Sequence, residues 1–215
     1  MNYQLRPQYI SKKPQERLYQ LEKPILGLTG GIASGKSTAA HFIKEHGLHV
    51  ICADELVKEV YREEKVLQTL REDFPQVINQ DNQIQFGKLR EIVFNDPEIK
   101  KKIETLIYSY LPEKFKQKAN AIQDQNTIIY DVPLLFEKNL QESIDLSICV
   151  YTRPELQIKR ILSRDGGSRE LASKILSAQL PIDEKKSKAD FVLDNQKDPE
   201  HLKKHIEQLF REIFL

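Results

Sequence analysis

Cysteine is scarce in this 215-residue chain: Cys52 and Cys149 are its only two, and they are far apart in sequence. That excludes a disulfide framework and a cysteine-ligated zinc site. Both are expected as small buried apolar residues in a reducing cytoplasm. No run of about 18 apolar residues occurs, so no membrane span is expected. No early apolar block resembles a secretory signal. Charge of one sign is also missing: 33 Lys and Arg face 32 Asp and Glu, a net +1. Coating nucleic acid needs a surplus of cations, so that class is set aside. Internal repeats and low-complexity tracts are absent. What remains is ordinary globular composition, 40% apolar and 30% charged, and enough length to bury a sizeable core as one domain or one core with insertions.

The first 23 residues stand apart. They hold Tyr3, Tyr9 and Tyr19, three of the eight tyrosines, and five basic against two acidic residues. With no clear period they read as an irregular arm, either a basic tether or an extraneous extension. From Pro24 the pattern is regular. Short strands are expected over 25–29, 49–52, 127–130, 146–151 and 191–193. Helices are expected over 37–46, most of 54–73, 86–94, 97–108, 112–123, 154–164, 169–179 and 199–210. Alternating strands and helices predict an α/β fold with a five-stranded parallel sheet covered on both faces. The boundaries drawn are an arm over 1–23 and one domain over 24–215. Within it lie a core (24–54, 125–160 and 190–215), a helical lobe over 55–124 and a lid over 161–189.

Glycine is sparing too, yet four of the eight fall between Gly27 and Gly35. There Gly30-Gly31-Ile32-Ala33-Ser34-Gly35-Lys36-Ser37 fits the phosphate-loop pattern G-x-x-x-x-G-K-[ST], a match expected by chance in fewer than roughly one chain in a hundred. A strand before it and a helix after it supply the required context. Glycines let successive N–H groups turn toward one concavity. The helix start adds its positive end. Lys36 brings a full charge to the β and γ phosphates, and the Ser37 hydroxyl is a hard oxygen ligand for Mg²⁺. A guanine-reading N-K-x-D motif is lacking, since Asn195-Gln196-Lys197-Asp198 does not fit. A chain of this length, with the loop near its start and room for a lobe and lid, suits a small-molecule kinase.

Two carboxylates sit at strand ends, where ligands of parallel sheets bind. Asp54 either orients an acceptor hydroxyl and takes its proton or caps the helix expected from Glu55. Asp131 either holds a hydrated Mg²⁺ or is a turn residue ahead of Val132-Pro133. Arg160 and Arg164, four apart, share a helix face and are able to grip phosphate oxygens. The Asp165-Gly166-Gly167 run behind them reads as a helix stop and hinge. Lys174, Lys185, Lys186 and Lys188, interleaved with Asp183 and Glu184, read mainly as a solvated charged face.

Taken together, these strings resemble the dephospho-CoA kinase family. The likeness runs from Leu28 to Thr38 through Ala53-Asp54, Gly87-Lys88-Leu89-Arg90-Glu91-Ile92-Val93-Phe94 and Asp131-Val132-Pro133-Leu134-Leu135-Phe136-Glu137. It continues to Arg160, Arg164-Asp165, Ala178-Gln179, Lys185 and Ala189 to Asn195, covering nearly all of residues 25–210. The Val-Pro-Leu-Leu-Phe-Glu string is more family-specific than the phosphate loop. The resemblance implies a P-loop NTPase core with a helical substrate lobe and a lid. It implies ATP-dependent phosphorylation of the ribose 3′-hydroxyl of dephospho-CoA, the last step of coenzyme A synthesis, with Mg²⁺, in a cytoplasmic monomer. By position it makes Asp54 the general base, and Arg160 and Arg164 lid phosphate ligands. Gly30 to Thr38, with Asn195 near the adenine, become the ATP site, and Arg90 and Tyr108 acceptor contacts. Tyr108-Ser109 stands where the family usually has His-Pro, Cys52 stands where an Asp is common, and the arm has no counterpart. The alternatives are another P-loop nucleoside or nucleotide kinase, or a non-catalytic ATP-binding module.

Overall fold

The computed structural model describes residues 3–123, 127–165 and 168–215. Its strands are β1 (Ile25–Gly30), β2 (Val50–Cys52), β3 (Ile128–Asp131), β4 (Leu146–Tyr151) and β5 (Phe191–Asp194). They form one parallel sheet in the order β2-β3-β1-β4-β5. β1, β3 and β4 are buried along their whole lengths, which is why they appear in the sequence as short continuous apolar runs. β1 lies between β3 and β4, and the chain leaves it into the loop at Gly31. That is the switch point of an open parallel sheet, where the crevice for ligands forms.

The helices are α1 (Lys36–Glu45), α2 (Ala53–Val60), α3 (Glu64–Asp73), α4 (Phe86–Asn95), α5 (Pro97–Ala121), α6 (Pro154–Asp165), α7 (Arg169–Ser177), α8 (Ile182–Lys188) and α9 (Pro199–Ile213). The chain divides into two compact units, one of residues 1–53 and 119–215 and one of residues 54–118.

In the first unit, alternation along β4 sets the layers. Leu146, Ile148 and Val150 join Leu26, Leu28, Ala39, Ile43, Leu202 and Ile206 in one core beneath α1 and α9. Cys149 and Tyr151 face the other way, with Ile182 of α8. The arm belongs to this unit and is tied down. Leu5, 1% exposed, bridges to Phe214. The Arg6 amide donates to Ile213 O (2.8 Å) and the Leu215 amide to Gln4 O (2.9 Å). Tyr3 stands edge-on to Phe210 and Phe214.

The second unit buries Leu56, Val60, Val66, Leu70, Leu89, Ile103, Ile107, Leu111 and Phe115. Lys118 pairs with Glu59 at 2.7 Å and Lys114 with Glu63, which ties α5 to the α2–α3 segment.

Three helical expectations change. The stretch 54–73 is two helices, broken at residues 61–63. The two helices expected over 97–123 are one of 25 residues with Pro112 inside it. A helix not foreseen, α8, spans Ile182–Lys188. The hinge expected at Gly166-Gly167 lies outside the described residues.

Candidate active site

The phosphate loop joins β1 to α1, and its backbone is held from outside. Ile32 O accepts from Gln157 Nε2 at 2.6 Å. Ala33 O accepts from the Arg160 guanidinium at 3.2 Å. Ser34 O accepts from Asn195 Nδ2 at 2.7 Å and from Arg160 at 3.4 Å. In a trans peptide the C=O and N–H point opposite ways, so a carbonyl drawn outward turns the next amide inward. The amides of Ala33 and Gly35 are turned in this way. At Lys36 the helix starts, and the Ala39 amide makes the first α-type bond, to Gly35 O (3.0 Å). The amides of Lys36, Ser37 and Thr38 therefore head the helix with no acceptor one turn back within it, the usual anchor for a phosphate. Gly35 has φ +95°, and a Cβ there would lie 1.9 Å from Asn195 Nδ2. No other residue fits that conformation and that contact.

Lys36 Nζ is paired with the Asp131 carboxylate; their side chains are 13% and 8% exposed. Asp131 is the last residue of β3, in register with Leu28 of β1 and Cys52 of β2, so the strand-end carboxylate and the loop lysine share the C-terminal edge of the sheet. Asp131 is 6% exposed and closes the strand just ahead of Val132-Pro133. Asn195 follows β5, and besides bracing Ser34 its own carbonyl accepts from Arg160 at 2.9 Å. The Arg160 side chain thus serves the loop and the Asn195 backbone at once. Arg164, one turn further along α6, is exposed.

Asp54 is the second residue of α2, two positions beyond Cys52, and is exposed. The helix is already under way at Ala53, so Asp54 is inside its first turn and does not cap it. A carboxylate there is still favoured by the helix's positive end. Arg90, on α4, is exposed, and Tyr108, on α5, is 44% exposed. Burial pushes the hydroxyl pKa of Tyr61 above its ordinary value, and Tyr108 adds to the rise. The first unit thus gathers the loop, Asp131, Arg160 and Asn195. Asp54, Arg90 and Tyr108 belong to the second.

Lys185 departs from expectation. It is fully buried, with Nζ donating to Pro133 O at 2.7 Å and pairing with Glu137 at 2.8 Å. The same Pro133 carbonyl accepts from Thr29 Oγ1 (3.1 Å), and Glu137 accepts from the Leu180 amide (3.0 Å). The Val132-to-Glu137 string is thereby fastened to β1 and to α8. A buried lysine needs partners of this kind, because an unpaired buried charge is costly. Gln157 and Gln179 are two further residues at the loop that the sequence did not single out as a site. A cavity of about 430 Å³ beside Gly31 is lined in part by both.

Residues 24–200 match the family model for dephospho-CoA kinase. The chain is 37% identical over 185 residues to the dephospho-CoA kinase of Fusobacterium nucleatum, covering 86% of this chain and 95% of that one. Among solved structures, a protein from Thermus thermophilus superposes with a TM-score of 0.79 at 27% identity, covering 88% of this chain and 97% of that one. The dephospho-CoA kinase of Campylobacter jejuni gives 0.64 at 27% identity, covering 87% and 96%.

Proposed function

Since the chain belongs to the dephospho-CoA kinase family, we propose that it transfers the γ-phosphoryl group of ATP to the ribose 3′-hydroxyl of dephospho-CoA. The products are coenzyme A and ADP. The observation that carries this reading is the phosphate loop itself, with its carbonyls drawn outward and Lys36 at the head of α1. Residues Gly30 to Thr38 receive the polyphosphate, with Asn195 bracing the loop near the adenine. Lys36 moves from Asp131 to the β and γ oxygens, exchanging one carboxylate for the stronger negative field of the nucleotide.

The acceptor oxygen attacks the γ-phosphorus as the bond to the ADP oxygen breaks, and the hydroxyl proton passes to the Asp54 carboxylate. Arg164, with Arg160 behind it, offsets charge on the transferring group. From the substrate lobe proposed over residues 55–124, Arg90 contacts the acceptor's phosphates and Tyr108 contacts the acceptor through its hydroxyl. ATP use implies a divalent metal, Mg²⁺. The donor set suits it, because Ser37 and Asp131 offer hard oxygens and Mg²⁺ needs only one or two protein ligands beside phosphates. Bound there, it would neutralise charge on the β and γ oxygens. One chain carries every candidate residue, which supports the monomer proposed here; the proposed setting is the cytoplasm. Among the described residues no helix is long and apolar enough to cross a membrane.

The test is ADP formation by the purified chain with ATP and Mg²⁺, offering dephospho-CoA against a panel of nucleosides and nucleotides. ADP release with dephospho-CoA alone is expected. Release only with the panel would make it a nucleotide kinase, and ATP binding without transfer to any acceptor would make it a binding module.

A further inference from the structure

We propose that Gln157 and Gln179 are positioning residues that lock the peptide between Ile32 and Ala33 in the orientation that serves phosphate. The proposal rests on the phosphate-loop reading above and deepens it. The Ser34 amide donates to Gly31 O at 3.1 Å, closing a turn over residues 31–34. Its third residue, Ala33, has φ +57°, while Ile32 is not among the positive-φ residues. That combination defines a type II turn. Type I has the same ends with the central peptide flipped, and it leaves the third residue at negative φ. An alanine prefers the flipped form, because left-handed backbone crowds its Cβ.

Two side chains oppose the flip. Gln157 Nε2 donates to Ile32 O at 2.6 Å, which fixes the peptide plane after the Ile32 Cα. Gln179 Oε1 accepts from the Ile32 amide at 3.1 Å, which fixes the plane before it. Gln157 is 2% exposed, and a Cβ on Gly31 would come within 2.5 Å of its Nε2, so its amide is pressed against the loop. Held in this way, the central peptide turns the Ala33 amide to the side opposite Ile32 O, into the concavity. Gln157 stands on α6, just before the segment read as the lid, and Gln179 lies within that segment, two residues past α7, so the loop is braced by two separate elements.

The test is ATP affinity of the full chain, measured by titration without acceptor, together with KM for each substrate. Gln157→Met removes the donor at nearly constant volume. It is expected to weaken ATP binding roughly 10- to 100-fold, raising KM for ATP and leaving KM for dephospho-CoA unchanged. Gln179→Met is half-buried and outside any helix, so it tests the same claim without a folding risk; a severalfold loss is expected. Ala33→Gly relieves the strained φ, so adding it to Gln157→Met should recover part of the lost affinity, which repair of a simple packing defect would not do. Unchanged ATP affinity in both methionine variants overturns the proposal, as does a loss that Ala33→Gly leaves untouched. A parent chain that binds no ATP overturns the phosphate-loop reading itself, and this proposal with it.

Discussion

At the scale of single residues, Lys36 and Asp131 form a nearly buried pair, and breaking such a pair has two separable effects. Lys36→Ala should abolish turnover because the γ-phosphate loses its cation. It should also lower the melting temperature, because the Asp131 carboxylate loses this cation in a poorly solvated place. Adding Asp131→Asn should recover much of the melting temperature and none of the activity. Asp54→Asn is expected to cost about 10²–10⁴-fold in turnover with little change in thermal stability, since the side chain is exposed. A melting shift without a loss of turnover would reduce Asp54 to a helix-start charge. The loop was legible in the sequence because its chemistry is compressed into eight consecutive residues. The roles of Gln157, Gln179 and Lys185 were not, because their partners Ile32 and Pro133 lie 125, 147 and 52 positions away. No local pattern marks a residue whose role is set by a contact made only in the folded chain.

At the scale of elements, the arm is the least expected part. Arg17 and Asp145 are 4% and 0% exposed. Asp145 accepts from Arg17 Nε (2.8 Å), from the Ile25 amide (2.9 Å) and from the Lys12 amide (3.1 Å). A carboxylate so satisfied ties the arm to the entry of β1 and the start of β4. Arg17→Ala would leave it buried without its cation, and a loss of about 3–5 kcal/mol is expected from denaturant titration. Removing residues 1–23 should do at least as much; an unchanged midpoint in either would make the arm a passive tether. On β4, burial pushes the Cys149 thiol up to about 12. It should resist alkylation at pH 8 until the protein unfolds. An unfolded thiol releases its proton near pH 9 while the folded one keeps it, so this group lowers stability as pH rises from 9 toward 12. Denaturation midpoints across that range check the sign. The sheet was legible because buried parallel strands need continuous apolar runs, and β4 was bounded correctly by that signal alone. Pro112 misled because a proline usually ends a helix, whereas here the helix runs through it from Pro97 to Ala121. α8 was missed because its Asp183-to-Lys188 stretch is charged at nearly every position, with its burial carried by Ile182 and Lys185.

At the scale of the whole molecule, a near-neutral chain of 215 residues builds a parallel sheet whose central strand delivers its first loop to the switch point, and family membership says what that loop is for. Phosphoryl transfer depends on positioning and charge more than on covalent participation by the protein. The destination of the phosphoryl group is therefore the decisive observable. The most direct measurement is a single turnover with γ-labelled ATP, Mg²⁺ and dephospho-CoA, followed by separation of the products. The prediction is label in the 3′-phosphate of coenzyme A, in proportion to ADP formed, and none with Lys36→Ala. Label recovered as inorganic phosphate, retained in ATP despite bound acceptor, or delivered equally well by Lys36→Ala would contradict it.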